Sequence, residues 1–206
     1  MARSETGAGR VDRKKQKTRQ MVVTTAMRLF RRAGFDAVTM EQIADTADIA
    51  KGTLYHYFPV KEAILAAYLD QESLARNAER IVRMRGLADT RGRITASLTE
   101  LTEAVRAQSD IFEKYFTYRT QQMISLRRDA NRVGGLNDLE DEIIRLGQSS
   151  GELRTDLPFA LLEALFEFSF IIVAQQYYQA PDAFDAARAI GQCVELFMSA
   201  AGSRRP

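Results

Sequence analysis

Residues 39–63 read TMEQIADTADIAKGTLYHYFPVKEA, and two start signals inside them place a helix. Thr39 followed by Met40, Glu41 and Gln42 is a capping box, in which the threonine hydroxyl accepts from the Gln42 amide while the Gln42 side chain reaches back. Val38 before the cap and Ile43 inside the helix form the matching hydrophobic staple, so a helix is predicted from 40 to about 46. A short break from Ala47 to Ala50 separates it from a second helix, Lys51 to Phe58, which Pro59 stops. Two short helices joined so tightly read as a helix-turn-helix.

The pattern extends in both directions. Upstream, Val22, Val23, Ala26, Leu29, Phe30 and Ala33 recur at three- and four-residue spacing, with Arg28, Arg31 and Arg32 on the outer face. Gly34 takes the left-handed position after the last turn, and Phe35 folds back onto the helix. Residues 1–16 are expected to be a disordered basic arm. Downstream, a long helix over 60–84 joins the head to a body, and helices follow at about 90–107, 110–131, 136–149, 158–179 and 182–201. Nothing alternates with period two, so the fold class is all-α: a three-helix head with a helix-turn-helix, then a larger helical body. The domain boundaries are 17–62 for the head, 63–201 for the body and 202–206 for a tail.

Composition excludes several classes. The chain has 206 residues, 46% hydrophobic and 27% charged, with one cysteine and one histidine. An intrachain disulfide is impossible, and a His/Cys metal site or nucleophilic pair would have to be built from His56 and Cys193 alone. No secretory leader is evident, and a cytoplasmic location is expected. The longest uncharged stretch in the most apolar region, 168–181, is shorter than the roughly 20 residues of a membrane span. The net charge of +2 conceals an asymmetry: residues 1–60 carry eleven basic and six acidic side chains, the remainder eighteen and twenty-one. A basic head on an acidic body suggests a polyanionic partner for the head, against the alternative of a merely solubilised tail.

On a helical wheel, Leu54 and Phe58 of the second short helix share the face toward the head's own core. Gly52, Thr53 and His56 then face outward, flanked by Tyr55 and Tyr57, with Lys51 at the amino end. Donors for phosphate, edges for bases, rings for thymine methyls and a glycine permitting close approach suit the major groove of DNA. Thr39 is first a cap, and its hydroxyl is a second candidate for phosphate.

These residues, Thr39-Met40-Glu41-Gln42-Ile43-Ala44, then Lys51 to Phe58, then Lys61-Glu62-Ala63, resemble the amino-terminal DNA-binding domain of the TetR/AcrR family of bacterial regulators. The resemblance covers about residues 17–65. It implies DNA contacts at Thr39, Lys51, Gly52, Thr53, Tyr55, His56, Tyr57 and Lys61, and a ligand-responsive homodimeric repressor on a palindromic operator. The chain departs from the family's usual Gly-Val-Ser turn with Asp48-Ile49-Ala50, and from the usual Ser or Asn cap of the fourth helix with Val60. Asp tolerates the left-handed turn position, whereas Ala50 and Val60 offer no hydroxyl.

For the body, Phe112, Tyr115, Phe116, Tyr118, Met123, Phe166, Phe170 and Tyr177 are candidates to line a pocket for a hydrophobic or aromatic effector, although such residues are more often core. Tyr178 belongs to the same aromatic set. Phe159, Leu162, Ala186, Ala189, Ile190, Cys193, Val194 and Phe197 are candidates for a four-helix dimer interface. Glu163 and Glu167, one turn apart, are expected on the solvent face; if buried, they meet a cationic ligand or Arg119. No cofactor, metal or membrane partner is expected. An all-helical enzyme using Glu163 and Glu167 as acid and base lacks an opposed pair across a substrate, and a protein-binding scaffold is the remaining alternative; activation instead of repression stays open within the regulator reading.

Overall fold

The computed structural model describes residues 7–124 and 135–203, and every described regular element is a helix. In chain order these are α1 (Gly7–Ala33), α2 (Met40–Thr46), α3 (Lys51–Tyr57), α4 (Lys61–Arg85), α5 (Thr90–Ala107), α6 (Ser109–Ile124), α7 (Gly135–Ser149), α8 (Phe159–Gln179) and α9 (Ala186–Ala201). The chain divides into two compact units between Leu69 and Asp70, within α4.

In the first unit, α1 begins at Gly7, which corrects the expectation of disorder for 7–16. The stretch 10–20 contains no breaker and is rich in Arg, Lys and Gln, all good helix formers. Gly34 has φ +84°, and Phe35 folds back so that its ring lies 4.8 Å from that of Phe30. The capping box is complete: Thr39 Oγ1 accepts from the Gln42 amide at 3.2 Å, and the Thr39 amide donates to Gln42 Oε1 at 2.9 Å. Asp48 stands at φ 51°, in the left-handed position that the usual glycine would take. Val22, Val23, Ala26 and Phe30 from α1, Val38 and Ile43 around α2, Leu54 and Phe58 from α3, and Ile64 and Leu65 from α4 form one buried core. Each fully buried Leu, Ile or Phe contributes about 1.5–3 kcal/mol.

In the second unit, α5 packs against α6, α7, α8 and α9, and α8 against α6, α7 and α9, so α5 and α8 form its centre. Asp89 caps α5 through the Gly92 amide, and Asp185 caps α9 through the Arg188 amide. The last helix therefore starts at Ala186, four residues after its expected start, because Pro181–Ala183 form a separate 3-10 turn and Phe184 is extended. Buried Arg93 donates to the carbonyls of Met84 and Leu87, closing the end of α4. The part of the expected 110–131 helix beyond 124 lies outside the described residues.

By length and composition α8 is apolar enough to cross a membrane, yet it carries Glu163 and Glu167, and 33% of the apolar stretch is buried within the chain. The buried stripe of α9 is Ala189, Ile190, Cys193, Val194, Phe197 and Ala201. That corrects the proposed dimer residues: Leu162, Ala189, Ile190, Cys193, Val194 and Phe197 are buried in the chain's own core, with Phe197 5.8 Å from Phe166. Phe159 and Ala186 are half-buried. The apolar side chains these helices leave exposed are Leu161, Phe168, Ile172 and Leu196.

Candidate nucleic-acid interface and ligand-binding core

The outer face of α3 follows from burial of its inner one. With Leu54 and Phe58 in the core, Lys51, Gly52, Thr53, Tyr55 and His56 are exposed and Tyr57 is half-buried. Ala50 supplies no side-chain cap, and the first turn is closed by backbone alone, Thr53 N–H to the Ala50 carbonyl at 2.9 Å. The ring of His56 lies edge-on to Tyr57 at 5.6 Å. Thr39 is exposed at the start of α2. Gly52, Thr53 and His56 fall within about 100° of one another around α3, opposite Leu54 and Phe58.

Two of the expected DNA contacts have other engagements. The Tyr55 hydroxyl donates to Glu41 Oε1 at 3.3 Å, linking α3 to α2. Lys61 is a correction. Its ammonium donates to the carbonyls of Phe35, Asp36 and Val38 at 2.8, 3.2 and 3.1 Å, and lies 4.6 Å from the Phe35 ring centre. An ammonium has three donors, so none is left for a phosphate, and Lys61 holds the turn between α1 and α2 in place. Lys14 and Lys15, expected in the disordered arm, and Lys17 and Arg19 at the start of the expected head are exposed cations on the amino-terminal half of α1. The Arg19 guanidinium lies 5.0 Å from the Phe58 ring centre.

In the body, a small apolar crevice of about 10 Å³ lies between α5 and α8, lined by Leu98, Leu101, Thr102 and Val105 and by Phe170, Val173, Ala174 and Tyr177. That is room for about one water. Of the pocket candidates, Phe170 and Tyr177 line it. Phe112, Tyr115 and Phe116 form a ring cluster on α6, Phe166 stacks on Phe170 at 5.4 Å, and Tyr118 is half-buried on α6. The side chain of Met123 lies outside the described residues. Sequence does not single out the α5 residues, because their spacing is that of any core-facing helix. Tyr178 donates to the Ser109 carbonyl at 2.7 Å.

Glu167 corrects the solvent-face expectation: it is 14% exposed and pairs with Arg119 at 3.0 Å. Glu163 is half-buried on the next turn. Burial pushes the Glu140 carboxyl well above the usual carboxylate range, with Glu167 adding to the effect and Arg119 opposing it. Burial also pushes the Cys193 thiol up, which disfavours its nucleophilic thiolate. Among the described residues, no group of three or more His, Cys, Asp or Glu could hold a metal ion.

Residues 22–68 match the family model described as bacterial regulatory proteins, tetR family. The HTH-type transcriptional repressor KstR of Rhodococcus jostii (strain RHA1) is 26% identical over 198 residues, 91% of this chain and 85% of that protein. Among solved structures, Thermus thermophilus FadR, a TetR family repressor in complex with lauroyl-CoA, superposes with a TM-score of 0.65 at 23% identity, covering 91% of this chain and 97% of that one. RolR in complex with resorcinol gives a TM-score of 0.59 at 19% identity, covering 93% and 91%. At these identities the two structures are likenesses of fold.

Proposed function

Because the chain is a TetR-family transcriptional regulator, we propose that it is a homodimeric repressor that binds an inverted-repeat operator through α3 and is released by a small effector bound in its body. The observation that carries the DNA reading is the outer face of α3. Among the described residues, no hydrogen bond engages the Thr53 or His56 side chain, and both project beside exposed Gly52 and Lys51. Thr53 and His56 would set sequence preference; Lys51 and the basic start of α1 would set overall affinity. Tyr57 and Thr39 are secondary contacts in this reading, and Tyr55 would have to exchange Glu41 for DNA. No catalytic role is assigned to any residue.

Two ligand-bound relatives of the same fold support an effector, acyl-CoA in one and resorcinol in the other. The crevice between α5 and α8 is too small for either kind of molecule as it stands, so in this reading effector entry parts these helices, and binding and conformational change are one event.

Selection of bound fragments from random DNA, followed by footprinting, tests the proposal. The expected product is an inverted repeat with half-sites near multiples of about 10 base pairs. Binding should weaken steeply with salt. A protected site without two-fold symmetry, or affinity independent of salt, overturns it.

A further inference from the structure

One face of α5 lines the crevice, and another face of the same helix grips α4. Leu98, Leu101, Thr102 and Val105 form the α5 wall of the crevice. Arg93 and Glu100 point about 140° away from the middle of that wall. Glu100 Oε2 accepts from Arg80 Nε at 2.9 Å, and Glu100 Oε1 accepts from Arg83 on the next turn of α4. Arg80 is braced on its own helix, where Nη1 donates to Ser73 Oγ at 3.2 Å. Buried Arg93 donates to the Met84 carbonyl at 3.1 Å and to the Leu87 carbonyl at 2.8 Å. All four bonds between α5 and the α4 segment involve an ionised group, which makes each roughly twice as strong as a neutral one.

The two grips differ in leverage. Arg93 binds carbonyls six and nine residues away in the chain, where α4 passes into its connection with α5, and so acts as a pivot. Glu100 binds side chains seventeen and twenty residues away, about 10 Å further along α5, and so sets the angle between the two helices. An effector that parts α5 from α8 moves α5, and what α5 holds moves with it. Resting on the effector-release reading above, we propose that Glu100 is the positioning residue that carries this movement to α4, through its hold on Arg80 and Arg83. α4 is one helix from Lys61 to Arg85, and its first turns bury Ile64 and Leu65 in the core of the head. A change of angle at its carboxyl end is therefore delivered along a rigid element to the helix-turn-helix.

The test is a double-mutant cycle on the full chain. Ala174, in the α8 wall of the crevice, is replaced by Leu to wedge the helices apart, and Ala174→Val is a smaller wedge for the same cycle. Amide hydrogen exchange of residues 80–87, measured without DNA, reads the grip on α4. Ala174→Leu is expected to speed exchange there about tenfold. Glu100→Ala is expected to remove that response, so that the double variant exchanges like Glu100→Ala alone. A Glu100 that serves stability only gives additive changes instead. Affinity for the selected operator is measured on the same proteins. The wedge should weaken it about fivefold or more with Glu100 present, and less than about twofold in the Glu100→Ala background. Additive changes in either readout, or exchange of residues 80–87 that is equal in the wild type and both wedge variants, overturn the proposal. Exchange that responds through Glu100 while operator affinity stays constant supports the grip and counts against the effector-release reading alone.

Discussion

Lys61 carries one positive charge and three donors, and all three donors meet carbonyls of the turn between α1 and α2. A cation beside a DNA-binding motif looks like a phosphate contact in sequence, because charge is visible there and hydrogen-bond partners are not. Lys51 shows the contrast: it is exposed at the amino end of α3. Lys61→Met should destabilise the chain by about 1–2 kcal/mol in urea unfolding, while leaving the salt dependence of DNA binding at the wild-type slope. Lys51→Ala should leave unfolding unchanged and reduce that slope by about one. A flattened slope in Lys61→Met would return that residue to the DNA interface.

At the scale of the element, two glycines separate folding from function. Gly34 ends α1 at φ +84°, and a side-chain methyl there would meet nothing within 4 Å, so the cost of an alanine is backbone strain alone. Gly34→Ala should lower stability by about 1 kcal/mol. Gly52 sits inside α3 with a right-handed backbone and the same open space. Its fold does not require glycine, and Gly52→Ala should raise stability by about 0.5–1 kcal/mol. The same substitution should weaken DNA binding, since a methyl group would meet the groove wall. Thermal unfolding and a binding titration on the two variants check both signs, and unchanged DNA affinity in Gly52→Ala would remove α3 from the groove.

For the whole molecule, the proposed dimer would dock on apolar side chains left outside the chain's own core. Leu161, Phe168 and Ile172 recur at seven- and four-residue spacing on α8, and Leu196, 69% exposed, stands on α9. Spacing of this kind forms a helix-packing seam. Phe168→Glu and Leu196→Glu should each shift the protein to monomer in sedimentation, leave the single chain folded, and reduce operator affinity by loss of the paired head. Phe197→Ala, by contrast, opens the chain's own core and should cost about 3–5 kcal/mol of stability. A dimer persisting in both glutamate variants would place the interface on another surface.

The helix-turn-helix is legible without coordinates because its signals are short-range. The Thr39–Gln42 box, the left-handed positions of Gly34 and Asp48, and the stop at Pro59 depend on residues within a few positions of one another, and the structure places each where the sequence does. Composition misleads at the start of α1, where Gly7, Gly9 and the charged residues after them suggest disorder although the stretch 10–20 contains no breaker, and the start of α9 turns on the Asp185 cap, one short polar side chain among several nearby. Which apolar stripe of α8 and α9 faces inward, which α5 residues line the crevice, and whether Glu167 meets Arg119 or water are decided by tertiary structure alone. Both stripes are apolar at helical spacing, and a carboxylate reads the same whether solvated or paired. The deciding partner lies on another helix, 48 residues away in the case of Arg119 and Glu167, and local energetics carry no information about it.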